Sequence, residues 1–253
     1  MTGQMAGRVA LVTGGSSGIG RATALAFAAE GATVVIASRH AETGEAVASG
    51  IRSAGGQALW IQTDVTQAVQ VEATVKRVIG TYGRLDYAFN NAGSGGRGGW
   101  IAELDEADWD KTLTGFLKSV WLCMKYEIAE MLKLGGGAIV NNSSVDGLRA
   151  FPWDPAYSAA KHGVIGLTKS AAMQYATKAI RINAVCPGWI RTPPTERILA
   201  SDPGAEEGMI LHQPIGRLGR PDEVAQAVVW LCSEKASLIL GVAMPVDGGY
   251  VIV

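Results

Sequence analysis

Short apolar runs recur along the chain at Arg8–Val12, Thr33–Ala37, Ala58–Gln62, Leu85–Asn90, Ala138–Asn141, Arg181–Val185 and Val242–Val246. Longer stretches with helical spacing of their apolar residues separate them, beginning with Ile19 to Glu30. Compact apolar runs joined by helix-length connections predict parallel strands with crossover helices. The expected fold is therefore α/β: a doubly wound parallel β-sheet with helices on both faces, one domain over residues 1–253. Ligands are expected at the carboxyl ends of the strands. Ser94–Gly99 and roughly Thr192–Pro214 lack either period and predict long loops, the second a substrate lid at about 192–214.

Composition narrows the function classes. The 253 residues are 48% hydrophobic and 18% charged, with a net charge of -1. Without clustered cations there is no footprint for nucleic acid or an anionic membrane, and neither partner is expected. The first residues lack the basic-then-apolar pattern of a leader, which predicts a cytoplasmic protein. Cys123, Cys186 and Cys232 fit neither a disulfide framework nor a metal site and read as core residues. His40, His162 and His212 likewise show no metal-ligand spacing.

The segment "TGGSSGIGR", Thr13 to Arg21, falls between the first strand and the first helix. Gly14 permits a tight turn, Gly18 lets the backbone approach a pyrophosphate, and Gly20 allows close helix packing. The spacing G-x-x-x-G-x-G in this position points to dinucleotide binding.

Six further segments stand in order along the chain: "DV" at Asp64-Val65, "NNAG" at Asn90–Gly93, "NNSS" ending at Ser144, "YSAAK" at Tyr157–Lys161, "PGWIRT" at Pro187–Thr192, and "VDGGY" near the end. Together with the glycine turn they resemble the short-chain dehydrogenase/reductase family in its single-domain form, across essentially the whole chain. The resemblance implies a Rossmann-type fold and a nicotinamide cofactor. It also implies a catalytic trio of Ser144, Tyr157 and Lys161. Tyr157 and Lys161 are four apart on a predicted helix, so they share a face. A neighbouring ammonium and an oxidised nicotinamide both favour the phenolate. Ser144 would hydrogen-bond the substrate oxygen. The implied cofactor set is Gly14, Ser16, Ser17, Gly18, Ile19, Gly20, Ser38, Arg39, Asp64, Val65, Asn91, Ala92, Gly93, Tyr157, Lys161, Pro187, Gly188, Ile190 and Thr192. Within it, Lys161 holds the nicotinamide ribose, Thr192 with the Ile190 backbone the carboxamide, and Asp64 the adenine.

Two positions depart from the common pattern. Members of the family usually carry an asparagine on the long helix before the fifth strand, where "TLTGFLKSVW" has Phe116. Its ring cannot hydrogen-bond a relay water, which leaves open a noncatalytic, NADP-binding regulatory or structural protein beside the active enzyme. At the tip of the second strand, "VVIASRH" places Ser38-Arg39 where an aspartate would select NAD(H). A guanidinium there favours a 2'-phosphate, so NADP(H) is preferred and NAD(H) possible.

The expected activity is an NADPH-dependent carbonyl reductase, reversibly an alcohol dehydrogenase. Residues beside the trio suggest the pocket wall: Val145, Asp146, Leu148, Phe151, Trp153, Trp189 and His212. Their apolar and aromatic character predicts a small to medium, bulky or cyclic ketone. Asp146 or Asp154 would suit a cationic substrate, or merely cap or solvate a loop. The apolar C-terminal tail and the helices around Trp109–Lys133 and Tyr157–Tyr175 predict a homotetramer.

Overall fold

The computed structural model describes residues 3–202 and 204–253. A parallel sheet is built from β1 (Val9–Thr13), β2 (Thr33–Ser38), β3 (Ala58–Gln62), β4 (Tyr87–Asn90), β5 (Gly137–Asn142), β6 (Ile180–Pro187) and β7 (Ala243–Val246). Its order is β3-β2-β1-β4-β5-β6-β7. The chain leaves β1 toward one edge and returns past it to β4, so a crevice opens where the order reverses. This is the Rossmann-type single domain expected from the apolar runs, with strand ends shifted by only a few residues. β6 is the main exception. It runs on to Pro187 because Cys186 and Pro187 pair with Pro245 and Val246 of β7.

Alternation along the strands divides the core between the two faces of the sheet. Ala10 and Val12 of β1 pack with Phe27, Ile36 and Val228 on one side, beneath α1 (Gly18–Ala29) and α9 (Pro221–Cys232). Val9 and Leu11 pack with Val75, Val120, Ile139 and Val164 on the other. There the cover is α3 (Ala68–Tyr82), α5 (Ser119–Leu134) and α6 (Pro155–Tyr175). Period-two side chains thus produce a sheet buried on both sides. The cysteines are buried and unpaired, and burial pushes the Cys186 thiol up to about 11 and Cys232 up to about 12. No helix among the described residues is long and apolar enough to cross a membrane.

The segment read as a lid loop is instead largely helical, with α7 (Pro193–Ser201) and α8 (Ala205–Leu211). Pro193 and Pro194 suit a helix start, and one face of α8 buries Met209. The polar residues that hid this pattern form its exposed side, where Arg191 pairs with Glu196 and Glu206. Ser94–Gly99 has no regular structure, as expected.

α4 (Glu106–Leu113) runs into α5 through a π-helical turn at Thr114–Lys118. The Ser119 hydroxyl donates to the Gly115 carbonyl at 2.7 Å. The wide turn lets Gly115 lie against Ser94, where a Cβ would be 1.8 Å from the Ser94 carbonyl oxygen. A π turn of this kind re-aims the residues on it, here Phe116.

Below the site, the Asn90 amide donates to Glu127 Oε2 at 3.0 Å and to Asn141 Oδ1 at 3.1 Å, while Asn141 donates to Thr168 at 2.9 Å. Glu127 is fully buried, and its Oε1 has no partner among the described residues. Burial raises its carboxyl from 4.5 to about 7. The folded protein then holds this proton more tightly than the unfolded chain. Its stabilising effect is complete below the unfolded value and is lost as pH rises through the folded one, a difference of about 3 kcal/mol. Glu127→Gln should therefore melt at a higher temperature than the parent above neutrality and at about the same temperature in mild acid. Identical melting curves at both pH values would show that Glu127 does not titrate with folding.

Candidate active site

The crevice at the carboxyl ends of β1 and β4 begins with the glycine turn. Gly14 has φ 64°, and a Cβ on Gly20 would come within 2.2 Å of the Gly14 carbonyl oxygen. Only glycine at both positions lets α1 start this close to β1. Ser17 caps that helix without a side-chain hydrogen bond, so first-turn amides remain open to an anion.

A groove of about 540 Å³ runs from this turn, lined by Gly14, Ser16, Ser17, Gly18, Ile19, Ser38, Arg39, Asp64, Val65, Asn91, Ala92, Gly93, Tyr157 and Thr192. Gly20 and Lys161 lie buried behind its wall. Pro187, Gly188 and Ile190 line the adjoining pocket. The cofactor residues inferred from the resemblance thus come together around one groove. His40, Thr63, Ser94 and Phe116 also line it and lay outside that set. The signal for His40 and Thr63 was available, since each follows a strand whose carboxyl end faces the crevice.

The groove suits an elongated dinucleotide: anion-accepting amides at the turn, polar residues at one end and the Tyr157 phenol at the other. Ser38 is itself buried, and its hydroxyl accepts a bond from the Trp60 indole at 2.9 Å. Arg39 is exposed beside it and forms no ion pair among the described residues. Asp64 accepts bonds from the Thr66 amide at 3.0 Å and hydroxyl at 2.8 Å, which stiffens that rim.

Asn91 and Asn142 connect the two ends. The Asn91 side chain donates to the carbonyls of Thr13 at 3.1 Å and Gly14 at 3.3 Å, and it accepts from Asn142 at 3.0 Å. Lys161 Nζ donates to the Asn142 carbonyl at 2.7 Å. Asp154 caps α6 by accepting from the Tyr157 amide at 2.9 Å, with Pro155 at the first helical position. That cap sets the start of the helix carrying Tyr157 and Lys161. Ser144 follows β5 in extended conformation, and its hydroxyl oxygen accepts from the Asp146 amide at 3.1 Å. Its own proton can still be donated into the pocket.

Phe116 fills the corner behind the pair. Its ring meets Tyr157 edge-on, with centroids 4.9 Å apart at 86°, and Lys161 Nζ lies 5.0 Å from the Phe116 centroid. A Cβ on Gly93 would be 2.4 Å from this ring, so a glycine there makes its placement possible. Burial lowers Lys161 to about 8. Burial and the Asp146 charge push the Tyr157 phenol above its usual range, against a smaller opposing effect of the Ser144 hydroxyl. The phenolate-favouring effect expected of the Lys161 ammonium together with an oxidised nicotinamide is thus opposed by desolvation of the phenol. Phe116→Asn should admit water to the Lys161 ammonium and raise its pKa, moving any alkaline limb of the pH–rate profile upward by about one pH unit. Unchanged turnover with an unchanged profile would show that the ring has no part in this balance.

The adjoining pocket contains Val145, Asp146, Phe151 and Trp189, four of the residues expected to form its wall. Leu148, Trp153 and His212 do not line it. Leu148 is exposed, Trp153 is exposed and packs against Trp100 at 5.4 Å, and His212 meets Tyr250 at 6.2 Å. Proximity in sequence misled there because Leu148 and Trp153 sit at the turns of Val145–Gly147 and Pro152–Trp153 and are exposed, while His212 ends α8. Ile198 of α7 and Tyr250 supply wall instead, and only the tertiary fold brings them near.

A sheet crevice with this groove, ending in a Ser, Tyr and Lys constellation, defines a dinucleotide-dependent oxidoreductase. Residues 14–251 match a family model described as "Enoyl-(Acyl carrier protein) reductase". The chain is 42% identical over 250 residues to cyclohexanol dehydrogenase of Acinetobacter sp. (strain SE19), covering 99% of this chain and 97% of that protein. It is 45% identical over 246 residues to cis-4-hydroxycyclohexanecarboxylate dehydrogenase of Sinomonas cyclohexanicum, covering 97% of each. A crystal structure of levodione reductase superposes with a TM-score of 0.93 at 38% identity, covering 97% of this chain and 98% of that one. The chain belongs to the short-chain dehydrogenase/reductase family, oxidoreductases that interconvert CH–OH and C=O groups with a nicotinamide cofactor.

Proposed function

We propose that the protein is an NADP(H)-dependent carbonyl reductase, reversibly an alcohol dehydrogenase, acting on a small to medium cyclic substrate. The observation that carries this reading is the junction of the cofactor groove with an apolar, aromatic-walled pocket at Tyr157. Ser144 donates to the substrate oxygen, Tyr157 transfers a proton to or from that oxygen, and Lys161 supplies positive charge below. The bound nicotinamide supplies or accepts the hydride at the carbonyl carbon. A phenol held protonated by burial is the acid that carbonyl reduction needs, which supports reduction as the working direction. Relatives named for cyclohexanol and for a hydroxycyclohexanecarboxylate support a ring-shaped substrate.

Arg39 supports NADP(H). It stands at the groove rim beside Ser38, where no carboxylate repels a 2'-phosphate, and its guanidinium can pair bidentately with one. NAD(H) remains usable in this reading, because Ser38 leaves the ribose unblocked. Phe116 supports the second reading, a noncatalytic binder. Steady-state assays against cyclic ketones and alcohols with both cofactors separate the two. NADPH should give the higher kcat/KM, Arg39→Asp should cut the NADPH-to-NADH ratio by roughly tenfold or more, and Tyr157→Phe should lower kcat by roughly a hundredfold or more. Tight NADPH binding with no turnover of any carbonyl would favour the binder.

We further propose a cytoplasmic homotetramer. Trp121 and Leu132 on α5, Met173 on α6, and Leu238, Ile252 and Val253 all expose apolar surface. Such area is costly on a monomer and suits subunit contacts. Light scattering should report four times the chain mass, and a monomeric mass would refute the assembly.

A further inference from the structure

The pocket beyond Ser144 and Tyr157 has a volume of about 470 Å³, and among the described residues its only charged lining groups are Asp146 and Asp154. Their duties differ. Asp154 accepts the Tyr157 amide and so caps α6. Asp146 uses only its backbone amide, which donates to Ser144. Its half-buried carboxylate accepts no hydrogen bond and joins no ion pair among the described residues.

The cations that could neutralise Asp146 are engaged elsewhere. Lys161 donates to the Asn142 carbonyl, and Arg149 donates to the carbonyls of Tyr250 and Val253, each at 2.9 Å. His162 Nδ1 lies 2.9 Å from the Ser158 carbonyl. Burial and the nearby Asp154 charge lift the Asp146 carboxyl to about 6, against smaller through-space effects of Lys161, His162 and Arg149, so it remains largely ionised at neutral pH. An unpaired, partly desolvated carboxylate beside a second one is unfavourable unless a ligand brings positive charge. Phe151 and Trp189 add aromatic surface to the wall on which an ammonium can rest, whereas the Tyr250 ring is already covered by the Arg149 guanidinium at 5.2 Å.

We propose that Asp146 is a specificity-determining residue that selects alcohols and ketones carrying a protonated amine away from the reacting carbon. The inference rests on the dehydrogenase reading above and names the substrate class of the same site. The ammonium pairs with Asp146 while the reacting oxygen lies between Ser144 and Tyr157. A carboxylate substituent would meet two negative charges instead. The ammonium also offsets the Asp146 charge that disfavours the Tyr157 phenolate, so binding this substrate eases the alcohol-oxidising direction.

The test compares 4-aminocyclohexanol, cyclohexane-1,4-diol, cyclohexanol and 4-hydroxycyclohexanecarboxylate on the parent enzyme and Asp146→Asn at neutral pH with saturating cofactor. The ratio of kcat/KM for the amine to that for cyclohexanol should exceed about ten in the parent and fall at least about tenfold in the variant, chiefly through KM. The carboxylate should be the poorest of the four. A ratio that is unchanged in the variant, or a diol favoured as strongly as the amine, would overturn the proposal. Calorimetric binding of 4-aminocyclohexanol to the protein with oxidised cofactor separates this inference from the activity it rests on. Asp146-dependent binding of the amine without turnover of any alcohol would uphold the subsite and remove the dehydrogenase reading. Equal binding of amine and cyclohexanol, with alcohols oxidised, would do the reverse.

Discussion

Asn91 and Asn142 form the hydrogen-bonded bridge on which the geometry of the site depends. One end holds the carbonyls of Thr13 and Gly14 at the anion-binding turn, and the other passes through the Asn142 backbone to the Lys161 ammonium. Three parallel strand ends are thereby locked in register across the crevice. Because each link joins buried or half-buried polar groups, loss of one leaves its partner unsatisfied in a poorly solvated place. The glycine turn and the Tyr157–Lys161 end of the groove cannot drift apart while this bridge is intact.

The same enclosure sets the electrostatics. Tyr157 and Lys161 are both shifted toward their neutral forms by burial, and the Phe116 ring packs against both of them. The π turn and the glycine at position 93 make room for it. The Tyr157 phenol is therefore sensitive to whatever charge enters from the pocket side, where the Asp146 carboxylate joins no ion pair among the described residues. In the proposed reaction, catalytic balance and substrate choice become one electrostatic problem.

Much of this was legible along the chain. Apolar runs with helix-length spacing mark a parallel sheet because strands covered on both faces have no polar side. The motifs named Ser144, Tyr157, Lys161 and most of the groove, since they sit at strand ends and helix starts whose positions follow from local pattern. The lid segment was less legible: α7 and α8 are short and mostly solvated, so their apolar period is weak. Leu148, Trp153 and His212 illustrate the other limit, because being near a motif in sequence does not say which way a loop side chain points.

The sequence by itself determined the parallel sheet with helices on both faces, the glycine turn after the first strand and the placing of Tyr157 and Lys161 on one helix face, which depend on local periodicity, glycine stereochemistry and fixed spacing. Only the tertiary structure decided that Ser38 is occupied by Trp60, that Phe116 presses on Tyr157 and Lys161, and that Ile198 and Tyr250 complete the pocket. It also showed that Asp146 joins no ion pair among the described residues, since Arg149, His162 and Lys161 each bond a carbonyl elsewhere and act on it only through space. Such facts depend on which distant residues meet and on how much water is excluded when they do. Neither is encoded in the spacing of any single segment.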